Sequence, residues 1–305
     1  MPRVSILVTC YNHLDYLPEA IAGIRAQTFT DYDIIAIDDG SSDGTREWLT
    51  AHLQPHEIIF NEQNLGTYGT LNRALEAAKG ELIAVLNDDD VWEPLKLERQ
   101  VAMLDANPRV GLVHTDGIFI GPTGAQLEGN PLGFDWPRTE TGNNIIPLIY
   151  ANKIIASAVL VRRACFEDVG TFDAQYFGSG DWDMWLRIAE KWDVGYVHEP
   201  LTRYRWHTTN ASKKFDKIWR DDERLRRRIE SQMPLYQSQG LDPEALKKAS
   251  AHNYACLGTV LKLNGKPAEA RRAYGAAAKL APGRWQTYLR YLATFLPREA
   301  FKALK

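Results

Sequence analysis

The sequence has few cysteines and no long apolar run. Cys10, Cys165 and Cys256 are widely spaced among 305 residues and form no CxxC pair, which argues against a disulfide framework or a zinc site. The longest nearly apolar run, Ile154 to Val161, is far shorter than the roughly 18 residues that cross a bilayer. The start of the chain turns polar at Asn12 without a small-residue cleavage site, so we expect a first strand there and not a signal peptide. These features favour a reducing, cytoplasmic location.

The net charge of −3 conceals an asymmetry between two parts of the chain. Residues 1–215 carry 18 Lys and Arg against 30 Asp and Glu, whereas residues 216–305 carry 18 against 9. The asymmetry predicts two regions with different partners, one over residues 1–215 and the other over residues 216–305. The acidic part would repel nucleic acid and suits a metal-dependent site, so we expect no nucleic-acid partner.

Strands alternate with short helices near the start of the chain. Val4 to Thr9, Ile34 to Ile37 and Leu82 to Leu86 are apolar runs separated by helical patterns. This alternation predicts an α/β fold with a mostly parallel sheet, which binds ligands beyond the carboxyl ends of its strands. A further strand is predicted over Ile154 to Val161, and the pattern is helical throughout from about Asp216.

Acidic clusters directly follow two of the predicted strands. Asp38-Asp39-Gly40-Ser41 follows one, and Asn87-Asp88-Asp89-Asp90 follows another. A turn with a helix cap explains the first cluster as well as a functional site does. Three successive carboxylates destabilise one another unless a cation or donor groups lie among them, so the second cluster favours a divalent cation such as Mg²⁺.

Two further clusters lie near the end of the first region. Asp181, after Gly180, opens a helical pattern, where it would be either a first-turn acid or a functional carboxylate. Arg205 and His207 belong to a basic, aromatic stretch of an otherwise acidic region. Arg and His suit the charge of a phosphate, and a solvated surface strand is an equally good interpretation.

Taken in order, these clusters resemble the motifs of the family 2 glycosyltransferases of GT-A fold over roughly residues 3–212. Val4 to Asn12 is similar to that family's opening strand, and Asp38 to Thr45 follows in the family's order. Asn87-Asp88-Asp89 occupies the position of its DxD motif, and Gly180-Asp181 that of its Glu-Asp pair. The resemblance implies a catalytic domain over residues 1–215 with a Rossmann-like GT-A fold, a mostly parallel sheet with flanking helices. The helical pattern adds a C-terminal all-helical region over residues 216–305.

The resemblance also implies a role for each candidate residue. The residues that would hold the nucleotide are Thr9, Tyr11, Asn12, Asp39 and Asp88. Among them, Tyr11 would lie against the base, Asp39 would accept its imide N–H, and Asp88 would face the ribose. Asp89 would ligate a Mn²⁺ or Mg²⁺ that bridges the donor diphosphate, and Asp181 would be the general base for the acceptor hydroxyl. Arg205 and His207 would contact the diphosphate or the metal.

The sequence departs from the family's pattern at three places. Asn87 replaces the first Asp of the DxD motif, which leaves Asp89 as the chief metal ligand. Gly180 replaces the usual Glu before Asp181. The stretch Thr202 to Trp206 lacks the Gln of the processive synthases' motif, so we expect a non-processive enzyme.

The resemblance implies an inverting hexosyltransferase that uses a UDP- or dTDP-sugar and a glycan or lipid-linked acceptor in polysaccharide biosynthesis. Charge grows on the leaving diphosphate, so a cation at Asp89 would act as Lewis acid, while the acceptor hydroxyl needs a carboxylate base. One alternative is a catalytically inactive scaffold of the same fold that acts through its helical tail. A dinucleotide-dependent oxidoreductase is a weaker alternative, because no GxGxxG motif follows the first strand.

The C-terminal region weakly resembles one tetratricopeptide-type hairpin, and a helical cap on the catalytic domain is the other interpretation. Residues 284–305 carry five Lys and Arg against one Glu, with Trp285, Tyr288, Leu289 and Leu292 at helical spacing. Basic and aromatic residues on one helix suit an anionic membrane surface. A peripheral contact with the inner face of the membrane through 284–305 is therefore a further hypothesis.

Overall fold

The computed structural model describes residues 1–129, 131, 139–210 and 213–302. Residues 130, 132–138 and 211–212 of the predicted catalytic domain and residues 303–305 of the predicted membrane segment lie outside the described residues. The chain divides into two units. The first comprises Met1–Asn144, Lys153–Gln175 and Gly180–Asn210, and the second comprises Ile145–Asn152, Tyr176–Ser179 and Ala211–Lys305. The domain boundary between residues 215 and 216 stays a prediction.

The first unit contains one sheet, which has eight strands within the described residues. They are β1 (Val4–Cys10), β2 (Tyr32–Asp38), β3 (Ile58–Phe60), β4 (Leu82–Asn87), β5 (Val91–Trp92), β6 (Val110–Ile120), β7 (Val159–Arg162) and β8 (Asp193–Arg205). Their lateral order is β3-β2-β1-β4-β7-β6-β8-β5. The predicted parallel arrangement holds for the block from β3 to β4 and for the pair of β6 with β8. Because β7 and β5 pair antiparallel with their neighbours, the whole sheet is mixed.

Helices alternate with these strands along the chain and make up most of the second unit. They are α1 (Leu17–Arg25), α2 (Thr45–His52), α3 (Gly66–Ala77), α4 (Lys96–Ala106), α5 (Ile145–Tyr150), α6 (Arg163–Val169), α7 (Gly180–Ala189), α8 (Phe215–Ser238), α9 (Pro243–Leu263), α10 (Pro267–Leu280), α11 (Trp285–Ala293) and α12 (Arg298–Lys302). Within the described residues, no helix combines the length and the apolar character needed to span a membrane.

Burial explains why the opening segment folds as predicted. Val4, Ile6 and Val8 alternate along β1 and join one hydrophobic cluster with Ile21 of α1. Leu7, on the opposite face of the strand, is buried too. Burial on both faces is typical of a parallel strand covered on both sides, and it gives the continuous apolar run seen in the sequence.

The predicted strand Ile154 to Val161 is wrong over its first half. Residues Ala156–Ala158 form a 3₁₀ turn, and β7 begins only at Val159. The Ser157 hydroxyl donates to Asp90 and accepts from the backbone N–H of Asn87, while the Ser157 carbonyl accepts from Trp92 Nε1 at 2.6 Å. These bonds hold Ser157 at the end of β4, so its backbone does not join the sheet there.

In the second unit, α9 and α10 form a closely packed hairpin. Leu257, Leu261 and Ala273 belong to one buried cluster between them. A Cβ atom at Gly258 would lie 2.9 Å from the Tyr274 ring, so the glycine permits the close approach of the two helices. This hairpin is the segment whose sequence resembles a tetratricopeptide repeat.

A buried histidine in the first unit makes stability depend on pH. His114 stacks on Tyr196, its Nε2 atom lies 2.7 Å from Thr139 Oγ1, and burial lowers its pKa from 6.5 to about 3. Because the folded pKa is below the unfolded one, the neutral ring stabilises the fold above pH 6.5, and this contribution is lost as the pH falls toward 3. We expect it to cost about 2 kcal/mol of unfolding free energy between pH 6.5 and 5, measured by urea unfolding.

The control for this prediction is His114→Gln, whose side chain does not titrate. The variant should lose less unfolding free energy than the wild type over the same pH interval. An equal loss in the two proteins would assign the acid sensitivity to other groups.

Candidate functional site

Three parallel strands end side by side in the first unit. In the sheet register, Cys10 of β1 lies beside Asp38 of β2, and Thr9 lies beside Asn87 of β4. The loops that follow these strands therefore start from one edge of the sheet. They carry the nucleotide-binding and metal-binding residues that the sequence predicts.

Asp88 fastens the loop after β1 to the end of β4. Its buried carboxylate accepts a hydrogen bond from the Tyr11 backbone N–H (2.8 Å) and lies 2.8 Å from His13 Nδ1. Its own backbone N–H donates to the carbonyl of Thr9 (3.2 Å). Burial raises the pKa of the Asp88 carboxyl and Asp89 adds to the rise, although the bonds from His13 and Tyr11 oppose it.

The loop after β1 turns sharply at Asn12. This residue has a φ of 55°, the left-handed region that asparagine tolerates better than most residues. Its backbone N–H donates to Ser41 Oγ (3.0 Å), and its Oδ1 accepts from the backbone N–H of Ser42 (2.8 Å). The turn leaves the Tyr11 ring exposed, where it can meet a ligand. Thr9 Oγ1 donates to the side chain of Asn87 (3.3 Å).

The two adjacent carboxylates at the end of β2 have separate partners. Asp38 is buried and forms an ion pair with Arg46 at 3.0 Å. Asp39, also buried, accepts hydrogen bonds from the backbone N–H groups of Leu65 (2.8 Å) and Gly66 (3.0 Å) at the start of α3. Because each carboxylate has its own positive or N–H partner, the pair tolerates its mutual repulsion.

The three successive carboxylates after β4 likewise point to different partners. Asp90 is fully buried and accepts hydrogen bonds from the Ser157 hydroxyl and from the backbone N–H of Arg205 (2.9 Å). Burial, followed by the charge of Asp89, raises the pKa of Asp90 well above its usual value. Asp88 is engaged by the loop after β1. Asp89, with 12% of its side chain exposed, places Oδ2 at 2.9 Å from His207 Nε2.

His13, Asp89 and His207 each offer a ligand atom, and these atoms lie within 4.8 Å of one another. His13 turns its Nδ1 toward Asp88, and His207 turns its Nδ1 toward Thr209 Oγ1 at 2.7 Å. Metal-ligating histidines commonly use their second ring nitrogen in this way. Within the described residues, this is the one group of three His, Cys, Asp or Glu side chains close enough to hold a metal. Two imidazoles and one carboxylate suit Mn²⁺ better than Mg²⁺, which prefers oxygen ligands.

The electrostatics of His13 reflect the concentration of carboxylates around it. Burial lowers the pKa of its imidazole, but the hydrogen bond and charge of Asp88, with the charges of Asp89 and Asp43, outweigh burial and raise the pKa to about 9. A protonated His13 offsets the negative charge of these carboxylates, and a divalent cation would do the same.

Arg205 is buried and its guanidinium is bonded to the protein. It pairs with Glu19, donates from Nε to the backbone carbonyl of Asp89 (2.8 Å) and donates from Nη1 to the carbonyl of Gly121 (3.1 Å). It also lies over the Tyr16 ring, 4.7 Å from the centroid. These contacts hold the backbone of Asp89, and a direct contact of Arg205 with a diphosphate stays a prediction.

Two acidic residues at the start of α7 are candidates for the predicted general base. Asp181 is half-buried, accepts a hydrogen bond from the Trp182 backbone N–H (2.7 Å) and lies 3.4 Å from the Tyr68 hydroxyl. Asp183 is buried and forms an ion pair with Arg187 at 2.8 Å. The pairing gives Asp183 a structural role, which leaves Asp181 as the better candidate.

Tyr68 explains why residue 180 is a glycine. A Cβ atom at Gly180 would lie 2.8 Å from the Tyr68 ring, so no larger side chain fits unless that ring moves. Sequence reasoning overlooked both Tyr68 and His13. His13 directly follows the predicted nucleotide-binding residue Asn12, so its place in the same loop was the available signal. Nothing in the sequence marks Tyr68, which reaches Asp181 only through the fold.

The sequence is similar to those of known proteins. Residues 5–170, more than half of the 305, match the family model described as glycosyl transferase family 2. An uncharacterized glycosyltransferase of Rickettsia typhi is 27% identical over 230 residues, which cover 72% of this chain and 70% of the relative. Another from Rickettsia conorii is 30% identical over 220 residues, which cover 69% of this chain and 35% of the relative. The chain thus spans about a third of the length of some relatives.

Solved structures share the fold at low sequence identity. S. aureus TarS (residues 1–349, in complex with UDP-GlcNAc) has a TM-score of 0.70 and 14% identity, with 99% of this chain and 92% of that 1–349 chain covered. The mannosyltransferase PcManGT from Pyrobaculum calidifontis, in complex with GDP-Man and Mn²⁺, has a TM-score of 0.59 and 20% identity. The match covers 98% of this chain and 84% of that enzyme.

Proposed function

Because the chain belongs to glycosyl transferase family 2 and has the GT-A fold, we propose that it is a metal-dependent, inverting and non-processive hexosyltransferase. Its donor is a UDP- or dTDP-sugar, and its acceptor is a hydroxyl of a glycan or a lipid-linked glycan in polysaccharide biosynthesis. The observation that carries the proposal is the convergence of His13, Asp89 and His207 beside the loop of Tyr11. The widely spaced cysteines favour a cytoplasmic location.

The nucleotide would bind along the loops that follow β1, β2 and β4. The exposed Tyr11 ring offers a surface for the base, and Asp39 would accept the imide N–H that uracil and thymine share. Thr9, Asn12 and Asp88 shape the same edge of the sheet. The two solved structures are complexes with UDP-GlcNAc and GDP-Man, which supports a nucleotide-sugar donor for this chain. The proposal that the base of the donor is a pyrimidine depends on the contact of Asp39 with the imide N–H.

The reaction would divide between two groups of side chains. Asp89, His13 and His207 would hold a Mn²⁺ or Mg²⁺, which supplies charge stabilisation for the leaving diphosphate. Asp181 would take the proton of the acceptor hydroxyl at its carboxylate as that oxygen attacks the anomeric carbon. Attack opposite to the leaving diphosphate inverts the configuration at that carbon. Asp181 lies at the start of α7, where the helix dipole favours its ionised form.

The exposed face of α11 supports a peripheral membrane contact. Trp285, Leu289 and Leu292 are 62%, 54% and 61% exposed and follow one another at helical spacing on one side of the helix. Arg284 and Arg290 flank them. An exposed apolar face with basic neighbours matches the interfacial region of an anionic bilayer, and it would bring the enzyme to a lipid-linked acceptor.

Removing the predicted metal ligand should weaken nucleotide binding only when metal is present. We expect Asp89→Ala to reduce the affinity for UDP or dTDP in Mn²⁺, because the diphosphate loses its bridging cation, and to leave the affinity in EDTA unchanged. Isothermal titration calorimetry measures both. Asp15→Ala, which removes an exposed carboxylate two residues after His13, is the control and should bind as the wild type does. Equal affinities of Asp89→Ala and wild type in Mn²⁺ would remove Asp89 from the metal site, and no binding of any nucleotide sugar would favour the scaffold.

Removing the predicted base should abolish transfer without preventing donor binding. Asp181→Asn keeps the shape of the side chain but accepts no proton, so we expect the transfer rate to fall by about two to four orders of magnitude at unchanged donor affinity. Asp183→Asn breaks the ion pair with Arg187, so it should lower the melting temperature more than the rate. An active Asp181→Asn beside an inactive Asp183→Asn would exchange the two roles.

The membrane contact should depend on the apolar face of α11. We expect the triple variant Trp285→Ser, Leu289→Ser and Leu292→Ser to sediment less with anionic liposomes at low salt and to retain turnover of a soluble acceptor. Substitution is preferable to deletion, because Lys262 Nζ binds the carbonyls of Thr294 and Leu296 just beyond this helix.

Phe215→Ser is the matched control, since Phe215 is 61% exposed on α8. It should sediment as the wild type does. A wild type that ignores anionic liposomes, or a control that loses as much binding as the triple variant, would overturn the membrane contact.

A further inference from the structure

Three aromatic rings pack against one another beside Asp89 in the first unit. The centroid of the Tyr16 ring lies 5.0 Å from that of His207 and 5.9 Å from that of His13, and the ring is tilted by 46° to each imidazole. The two imidazoles meet edge to face at 5.1 Å. Two of the three rings thus belong to the candidate metal ligands, and the third packs against both of them.

The backbone of Tyr16 is fixed by the turn that leads into α1. Its N–H group donates to the carbonyl of His13 (2.9 Å), and its own carbonyl accepts from the N–H groups of Glu19 (3.0 Å) and Ala20 (3.2 Å). Leu17 and Ala20, in the first turn of α1, are buried in one hydrophobic cluster with residues of β1. The Tyr16 ring therefore projects from a part of the unit that is itself anchored in the core.

Arg205 packs on the same ring. Its guanidinium carbon lies 4.7 Å from the centroid of Tyr16, an attractive contact between a cation and an aromatic face. The guanidinium pairs with Glu19 of α1 and donates from Nη1 to the carbonyls of Gly121 (3.1 Å) and Pro122 (3.2 Å). Because Arg205 is 1% exposed and has these partners, it limits the movement of the Tyr16 ring.

A histidine that ligates a metal needs a fixed ring plane as well as a fixed nitrogen atom. His13 Nδ1 lies 2.8 Å from the Asp88 carboxylate, and His207 Nδ1 lies 2.7 Å from Thr209 Oγ1. One such contact holds a single atom of the imidazole and leaves its tilt undetermined, whereas a neighbouring ring restricts the tilt. Groups that orient metal ligands in this way commonly change metal affinity by about 10–100-fold when they are removed.

From these contacts we propose that Tyr16 is a positioning residue for His13 and His207. This inference rests on the proposed function, in which the two histidines and Asp89 hold the divalent cation. Tyr16 makes its contacts with the histidines and with Arg205 through its ring, so the role belongs to the ring and not to the hydroxyl group.

The test measures the binding of Mn²⁺ alone, without nucleotide. We expect Tyr16→Leu to raise the Kd for Mn²⁺ by about tenfold to a hundredfold, because the two imidazoles lose the ring that orients them. Tyr16→Phe keeps the ring and should bind Mn²⁺ as the wild type does. Titration followed by the EPR signal of free Mn²⁺ gives the Kd. Pulsed EPR of the bound Mn²⁺ adds a spectroscopic readout, since its coupling to imidazole nitrogen should weaken in Tyr16→Leu and persist in Tyr16→Phe.

Tyr32→Leu is the matched control. Tyr32 is another partly buried tyrosine of the first unit, and it packs against the hydrophobic cluster that contains α1. Its hydroxyl donates to the carbonyl of Ile24 on that helix (3.1 Å), so its loss also removes a contact with α1. The variant should lower the melting temperature and leave the Kd for Mn²⁺ unchanged. Equal Kd values for Tyr16→Leu and Tyr32→Leu would overturn the inference.

Further outcomes keep this inference distinct from the proposed function. If Tyr16→Leu does not fold, Tyr16→Met decides the matter, because a wild-type Kd for Mn²⁺ overturns the positioning role and a raised Kd with weakened nitrogen coupling supports it. If Mn²⁺ bound to the wild type shows no coupling to nitrogen, the histidine ligands of the proposed function are wrong and the role of Tyr16 falls with them. Clear nitrogen coupling in the wild type, unchanged in Tyr16→Leu, refutes only the role of Tyr16.

Discussion

The site depends on the separation of negative charge at the carboxyl ends of three parallel strands. Five carboxylates lie at or just after the ends of β2 and β4: Asp38, Asp39, Asp88, Asp89 and Asp90. Left together in a partly buried place they would repel one another and raise each other's pKa. The fold assigns four of them to a guanidinium, backbone N–H groups, an imidazole or a hydroxyl. Asp89 is the carboxylate that remains directed toward two histidines, and the proposed cation completes this pattern of compensation.

Much of the fold can be predicted from local sequence patterns, because the burial of a strand or helix face requires apolar residues at regular spacing. The predicted strands Val4 to Thr9 and Leu82 to Leu86 agree with β1 and β4 to within one residue, since polar residues follow each apolar run. The antiparallel direction of β7 could not be predicted, because the hydrophobic pattern of a buried strand is the same in parallel and antiparallel pairing. The turn at Ser157 was missed for a related reason, as its hydroxyl meets Asp90 from a position 67 residues away.

The site likewise has residues that the sequence could predict and residues that it could not. The acidic clusters could be found because they directly follow strands, and the sheet register brings Thr9 beside Asn87 as the parallel arrangement requires. The partners of Asp39 and the environment of Arg205 could not be found, because they depend on the bonds of Gly66 and Glu19 from other elements. The resemblance to known enzymes supplied roles for single residues. It did not indicate His13, whose place beside Asp89 appears only when β1 and β4 are neighbours.

The contact between Gly180 and the Tyr68 ring has a consequence for how this sequence can change over generations. A glutamate at residue 180 would meet the Tyr68 ring with the first carbon atom of its side chain. The exchange becomes tolerable only if the Tyr68 ring moves or residue 68 loses its ring, and a smaller residue at 68 removes the packing that a glycine at 180 receives. Positions 68 and 180 therefore form an epistatic pair, separated by 112 residues of sequence, in which the history of one constrains the alternatives open to the other.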